Sequence, residues 1–306
     1  MYWIRQSMCR LATGKGALTQ VNGKKEAALV LEGGGTRGVF TAGVLDYLIE
    51  KEVKFPYVIG VSAGACNAID YVSKQIGRTK DCTIIQDRKN RYIGTKDALK
   101  KGYLFDMDRL FDEYPNRLFP FDFDTYFASD IQCEVVVTNC LTGEAMYLSE
   151  KQDKERLLTI CRASSSIPLI SPVVDVDGIP CVDGGVADSV PLIHSMKLGH
   201  QKNVVVLTRN KGYRKKAPGK SRLLYTAALK KYPNLLNALL NRYRNYNRVM
   251  ELVEKWEEEG HIFVIRPEVE PVSRTEQNVE KLTEFYDHGY QMMKQRMEEM
   301  QAYLEK

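Results

Sequence analysis

The sequence predicts an α/β fold in which a mostly parallel central sheet is flanked by helices, and three observations carry this. The apolar run Ala27-Ala28-Leu29-Val30-Leu31 passes directly into Glu32-Gly33-Gly34-Gly35-Thr36-Arg37-Gly38, after which Val39, Ala42, Leu45, Leu48 and Ile49 recur at helical spacing. A second short apolar segment, Phe55-Pro56-Tyr57-Val58-Ile59, leads into Gly60-Val61-Ser62-Ala63-Gly64, and Ala65, Ala68, Ile69 and Val72 then mark another helix. Further short buried strands, at 132–138 and 203–207, are separated by helical stretches. Strand, helix, strand is a βαβ unit, so its crossover is right-handed and its strands are parallel. Both strands then end on one edge of the sheet, which allows the glycine loop to lie beside Ser62.

A chain of 306 residues, 44% hydrophobic and 27% charged, has the balance of a globular protein and is long enough for a sizeable core. We expect an N-terminal extension at 1–26 and one domain at 27–306, with a motif-bearing core at 27–208 and a helical C-terminal part at 221–306. No run approaches the ~18 apolar residues of a membrane span. Residues 1–25 carry Arg5, Arg10 and Lys15 without a continuous apolar stretch, a poor secretory signal. The seven cysteines are odd in number and lack a C-x-x-C pair, and read as reduced thiols in a cytoplasmic protein. A net charge of +5 is too modest to indicate nucleic acid. There is no H-E-x-x-H and no acidic calcium loop, so neither a metal nor a cofactor is expected.

Between 73 and 129 the patterning weakens, and aromatic and acidic residues alternate with Pro115 and Pro120. Two readings stand for this segment: a cap beside the active edge, or an irregular excursion with its aromatics turned inward. Residues 132–138 and 145–148 read as a hairpin around Thr142-Gly143-Glu144, and 153–163 as a helix. A second hairpin, 173–176 with 179–182 around Asp177-Gly178, delivers the chain to Asp183-Gly184-Gly185. A short helix at about 190–197, a strand at 203–207, a helical stretch at 233–258, a strand at 261–265 and a long helix at 275–304 complete the chain.

The chemistry gathers at the strand ends. G-x-S-x-G between a strand and a helix holds the serine forward on a sharp turn, with Gly60 and Gly64 leaving room for the backbone to bend. A serine hydroxyl needs a base, and a developing oxyanion needs preorganised donors. Gly33, Gly34 and Gly35 offer exposed N–H groups, the helix starting near Gly38 adds its positive end, and Arg37 can brace the loop or attract an anionic head group. A dinucleotide-binding loop fits worse, because no acid ends the next strand ~20 residues on. None of His194, His200, His261 and His288 stands in a glycine-flanked loop directly after a strand. Asp183 does, and exclusion of water there would raise its basicity; standing alone, it would read as a turn aspartate capping Gly184 and Gly185.

Gly33-Gly34-Gly35-Thr36-Arg37-Gly38, Gly60-Val61-Ser62-Ala63-Gly64 and Asp183-Gly184-Gly185 together resemble the patatin-like phospholipase family, in the family's order. The block Ala163-Ser164-Ser165-Ser166-Ile167-Pro168 with Ser171-Pro172 is also similar to the family's small-residue block. The resemblance covers about 27–208. It implies a patatin-like three-layer α/β fold, a Ser62–Asp183 dyad without histidine, an oxyanion hole from Gly33–Gly35, and hydrolysis of fatty acyl esters of phospholipids or lysophospholipids. Two other classes compete: an α/β-hydrolase esterase with a Ser-Asp-His triad, and a non-catalytic lipid-binding protein. From Arg209 to Lys231 there are nine basic residues and no acid, together with Tyr213, Leu223, Leu224 and Tyr225. This stretch reads either as a solvated surface or as a peripheral contact with an anionic membrane.

Overall fold

The computed structural model describes residues 27–219 and 221–306. The expected N-terminal extension, Cys9 within it, and Lys220 of the basic stretch lie outside the described residues. In chain order, β1 (Ala27–Leu31) leads through a 3-10 turn at Gly35–Arg37 to α1 (Gly38–Glu50), β2 (Tyr57–Val61) and α2 (Ala63–Val72). The weakly patterned region contains α3 (Arg78–Thr83), α4 (Lys96–Lys100), a π-helical segment at Arg109–Leu118 and α5 (Phe123–Ala128). Then follow β3 (Gln132–Asn139), β4 (Ala145–Leu148), α6 (Lys154–Ser164), β5 (Val174–Val176) and β6 (Ile179–Asp183). The chain closes with α7 (Leu192–Lys197), β7 (Lys202–Val206), α8 (Ser221–Ala228), α9 (Pro233–Glu258), β8 (Ile262–Ile265) and α10 (Val279–Glu305).

The sheet runs β5-β6-β3-β2-β1-β7-β8, with β4 also paired to β3. Its centre, β3-β2-β1-β7-β8, is parallel throughout, and β4, β5 and β6 join antiparallel. β1 and β2 are buried along their whole length because helices cover both faces, which explains their continuous apolar runs. Leu29 and Leu31 pack with α1, α2, α6 and α10 on one face; Ala28 and Val30 pack with α7 and α9 on the other. The result is a three-layer α/β fold.

Two helix starts differ slightly from the sequence expectation. The short helix begins at Leu192, after Pro191. The last begins at Val279, where Asn278 Oδ1 accepts the Lys281 N–H at 3.0 Å and fixes the first turn. α10 lies tight against α1: a Cβ on Gly43 would stand 2.7 Å from the Tyr290 nitrogen, so only glycine permits this crossing. The Tyr286 hydroxyl donates to Asp46 Oδ2 at 2.7 Å across the same contact.

Both readings of the segment after α2 hold in part. Its aromatics turn inward, with Tyr114 and Tyr126 almost wholly buried. The segment is also fastened beside the sheet edge. Arg78 pairs with Asp70 at 2.7 Å and donates from Nε to the Phe119 carbonyl, while Gln75 Nε2 donates to the Pro120 carbonyl.

Candidate active site

β1 and β2 are in register through Leu31 and Gly60, so Gly33 and Ser62 emerge side by side from the same edge. Ser62 sits between β2 and α2 with φ 56° and ψ −123°, a backbone conformation that non-glycine residues adopt only under constraint. The constraint is visible. The Ser62 N–H donates to Ser164 Oγ at 2.8 Å, and that hydroxyl donates onward to the Val136 carbonyl at 2.6 Å. Close approach does the rest: a Cβ on Gly33 would meet the Val61 carbonyl at 2.8 Å and Ser62 Cβ at 3.1 Å.

The glycine loop is held from below and from the side. Glu32 is buried; its Oε2 accepts the Thr208 N–H and hydroxyl at 2.7 and 3.0 Å, and its Oε1 accepts the Tyr246 hydroxyl at 2.9 Å. Gly35 takes φ +60°, and the Thr36 N–H donates to the Arg274 carbonyl at 3.0 Å. Among the described residues no acceptor takes the Gly34 or Gly35 N–H. Arg37 is 4% exposed, its Nε meets no acceptor among the described residues, and burial together with Arg209 pushes its pKa down to about 10.

Asp183 reaches this edge from the opposite direction. β6 runs antiparallel to β3, and its last residue pairs with Val137, one step beyond the Val61–Val136 pair that precedes Ser62. Its amide donates to the Ser166 carbonyl at 2.8 Å, its carbonyl accepts from Thr138 Oγ1 at 2.9 Å, and its Oδ1 accepts the Gly185 N–H at 2.7 Å. The serine block therefore has a physical role. Ser164 fastens Ser62 and Ser166 fastens Asp183, from neighbouring positions at the end of α6.

Two cavities meet at Ser62. One is walled by Ile69, Tyr92, Phe105, Met107, Phe111 and Phe121 among others, so the segment after α2 builds most of it. The other is polar; Ser62, Asp183 and Gly33–Gly35 all line it. Ser62, Gly35 and Ile167 belong to both. Gly38, which also lines the apolar cavity, and Gly64 are close-packed positions, where a Cβ would press on Ala63 and on the Leu31 carbonyl respectively.

No histidine lines either cavity. His194 Nε2 bonds Glu134 at 2.8 Å and its ring stacks on Tyr147; His200 stacks on Tyr57; His288 accepts the Glu268 amide; and His261 is exposed. Cys66 and Cys82 line the apolar cavity as free thiols, both held up in pKa by burial.

Sequence reasoning missed several side chains of the polar cavity. Lys215, counted in the basic stretch as a surface charge, points inward: its Nζ donates to Ser189 Oγ at 3.0 Å and lies 3.6 Å from the Tyr246 ring centre. Arg242 of α9 donates from Nε to the Gly185 carbonyl, and Arg274 enters just before α10. Nothing local marks Arg242 or Arg274, since only the tertiary fold brings α9 and the approach to α10 against the site.

The fold and this edge define an α/β protein whose elbow serine closes a parallel strand beside a glycine loop. Residues 29–195, more than half of the chain, match the model of the patatin-like phospholipases, and the chain belongs to that family. Residues 232–305 match a second model, described as a domain of unknown function, DUF6363. The chain is similar to the uncharacterized protein YjjU of Escherichia coli (strain K12), at 29% identity over 194 residues, 59% of this chain and 51% of that protein. It thus spans about half the length of this relative. Among solved structures it is similar to VipD from Legionella pneumophila, with 16% identity and a TM-score of 0.48, over 90% of this chain and 67% of that one.

Proposed function

We propose that this patatin-like protein is a serine acyl hydrolase that cleaves fatty acyl esters of phospholipids or lysophospholipids. Ser62 Oγ attacks the ester carbonyl while Asp183 accepts its proton. The glycine-loop amides hold the oxyanion, and Asp183 returns the proton to the departing alcohol. Water, deprotonated in turn by Asp183, releases the fatty acid from Ser62. The observation that carries this reading is that Ser62, Asp183 and Gly33–Gly35 line one cavity that no histidine enters. The apolar cavity opening at the same serine supports an acyl chain as the group transferred.

The test is direct. Ser62→Ala and Asp183→Asn should each abolish ester hydrolysis with the fold retained, and an alkyl fluorophosphonate should label Ser62. Single replacements of the four histidines should leave substantial activity. A folded histidine variant as inactive as Ser62→Ala would favour the triad chemistry instead.

The reading includes peripheral contact with an anionic membrane through the basic stretch. Lys211 and Arg214 are engaged with Glu258 and Glu254, at 3.1 and 2.6 Å. Lys216, Arg222, Lys230 and Lys231 are exposed, and on α8 so are Leu223 (80%) and Leu224 (61%). Among the described residues no helix is long and apolar enough to cross a membrane.

A further inference from the structure

We propose that the polar cavity is a subsite for a phosphate carried on the alcohol side of the ester, selecting lipids whose phosphate bears no attached cation. This rests on the reading of Ser62 and Asp183 as the reacting pair. With the scissile carbonyl at Ser62, the acyl chain has the apolar cavity on one side and the glycerol and head group have the polar cavity on the other.

The polar cavity has an unbalanced charge. Arg37, Arg209, Lys215, Arg242 and Arg274 line it, against the two carboxylates Glu32 and Asp183. Both Glu32 oxygens are already occupied by Thr208 and Tyr246. Among the described residues none of the five cations makes an ion pair with any carboxylate. Arg37 is the most buried of them, and its Nε is unpartnered among the described residues. Burial and mutual repulsion press on two of the others: Lys215 is held well below the ordinary lysine range by desolvation and by Arg242, and Arg242 is lowered by its own burial. Cations gathered at one site without carboxylate partners are costly, and a phosphate dianion in their midst offsets that cost.

The same residues say which head group is excluded. A quaternary ammonium is recognised by open aromatic faces. The two aromatic residues lining this cavity are Tyr213 and Tyr246, and each already has a cation over its ring, Arg209 at 4.4 Å and Lys215 at 3.6 Å. A choline head would meet like charge and find no free ring. A phosphate monoester, as in a 1-acylglycerol 3-phosphate, meets five cations against two carboxylates.

Two measurements test this. The first compares kcat/KM for 1-acylglycerol 3-phosphate and for the choline lysophospholipid of the same acyl chain. The parent enzyme should prefer the phosphate monoester at least tenfold, and Lys215→Gln and Arg274→Gln should each collapse the ratio towards one. Equal rates in the parent, or ratios unmoved in both variants with native circular dichroism, would overturn the proposal. The second measures binding calorimetrically on Ser62→Ala, so that it does not depend on turnover. Glycerol 3-phosphate should bind, and more weakly to the variant that also carries Lys215→Gln. Binding of inorganic phosphate with no lipid preference in the parent would make this a free-phosphate site and reject the head-group assignment. Binding of glycerol 3-phosphate in a protein that hydrolyses no ester would keep the anion site and reject the dyad.

Discussion

Ser164→Ala tests how the proposed nucleophile, Ser62, is held. Ser164 is fully buried, and its hydroxyl bridges the Ser62 amide to the Val136 carbonyl. Alanine fits the space but leaves the Ser62 amide without its acceptor, at ~1–3 kcal/mol. The elbow conformation at φ 56° stores strain of ~1–3 kcal/mol, retained only while its neighbours enforce it. Released from Ser164, the backbone relaxes and the hydroxyl leaves its attacking position. At about 1.4 kcal/mol per tenfold, a barrier raised by ~1–3 kcal/mol lowers kcat by about 5- to 150-fold, with KM little changed. The assay is steady-state hydrolysis of a short soluble ester, with thermal unfolding in parallel. Ser166→Ala is the control: its hydroxyl donates to the Arg162 carbonyl, and Asp183 is fastened by the Ser166 backbone. If Ser164→Ala lowers stability but leaves kcat at the parent value, the bridge holds the fold and not the nucleophile.

Gly34→Ala places a Cβ 3.0 Å from Thr208 Oγ1 and 3.2 Å from Arg37 Cβ, displacing the loop amides. Loss of an oxyanion donor costs ~10²–10³ in kcat, so kcat should fall far more than KM rises; a pure KM effect would mean the loop only positions substrate. Burial lifts the Asp46 pKa from 3.8 to about 6 despite its bonds from Tyr286 and Gly77. A carboxyl raised in the folded state favours folding when protonated, so this contribution fades as pH rises from about 4 through about 6. The two-unit gap is worth ~3 kcal/mol. Asp46→Asn, which keeps an acceptor, should gain on the parent by that amount between pH 4 and 7 in denaturant melts; parallel curves would refute it. Reversing Lys216, Arg222 and Lys230 to glutamate should weaken sedimentation with anionic vesicles at low salt by more than about a hundredfold, from ~1 kcal/mol for each cation lost and the added repulsion of three carboxylates. Unchanged sedimentation would leave the exposed basic residues as plain surface.

Much of this arrangement is legible in the sequence because it is local. β1 and β2 are short apolar runs that must be buried on both faces, and each passes straight into the loop that matters, so Gly33–Gly35 and Ser62 share an edge by topology alone. Asp183 is legible as a strand end beside Gly184 and Gly185, but its antiparallel approach depends on the register with β3. The wall of the apolar cavity is obscured because Pro115 stands inside the helical segment Arg109–Leu118, where a proline reads as a break although Leu110, Phe111, Tyr114 and Leu118 recur at helical spacing. The basic stretch misleads for a related reason. The acids that pair with Lys211 and Arg214 stand forty or more positions later, at Glu258 and Glu254, and Lys215 turns inward onto a tyrosine from α9.

The two cavities are drawn from different parts of the chain. Every residue lining the apolar one falls between Gly35 and Ile167, whereas the polar one takes Arg209, Lys215, Arg242 and Arg274 from beyond β7. On the proposed function, tail and head-group preference would be set largely by separate stretches of the chain. A mutation in the aromatic wall would then change the first and spare the second, and an exchange of residues 209–274 between relatives would carry four of the five cations of the polar cavity across while the recipient kept its own aromatic wall.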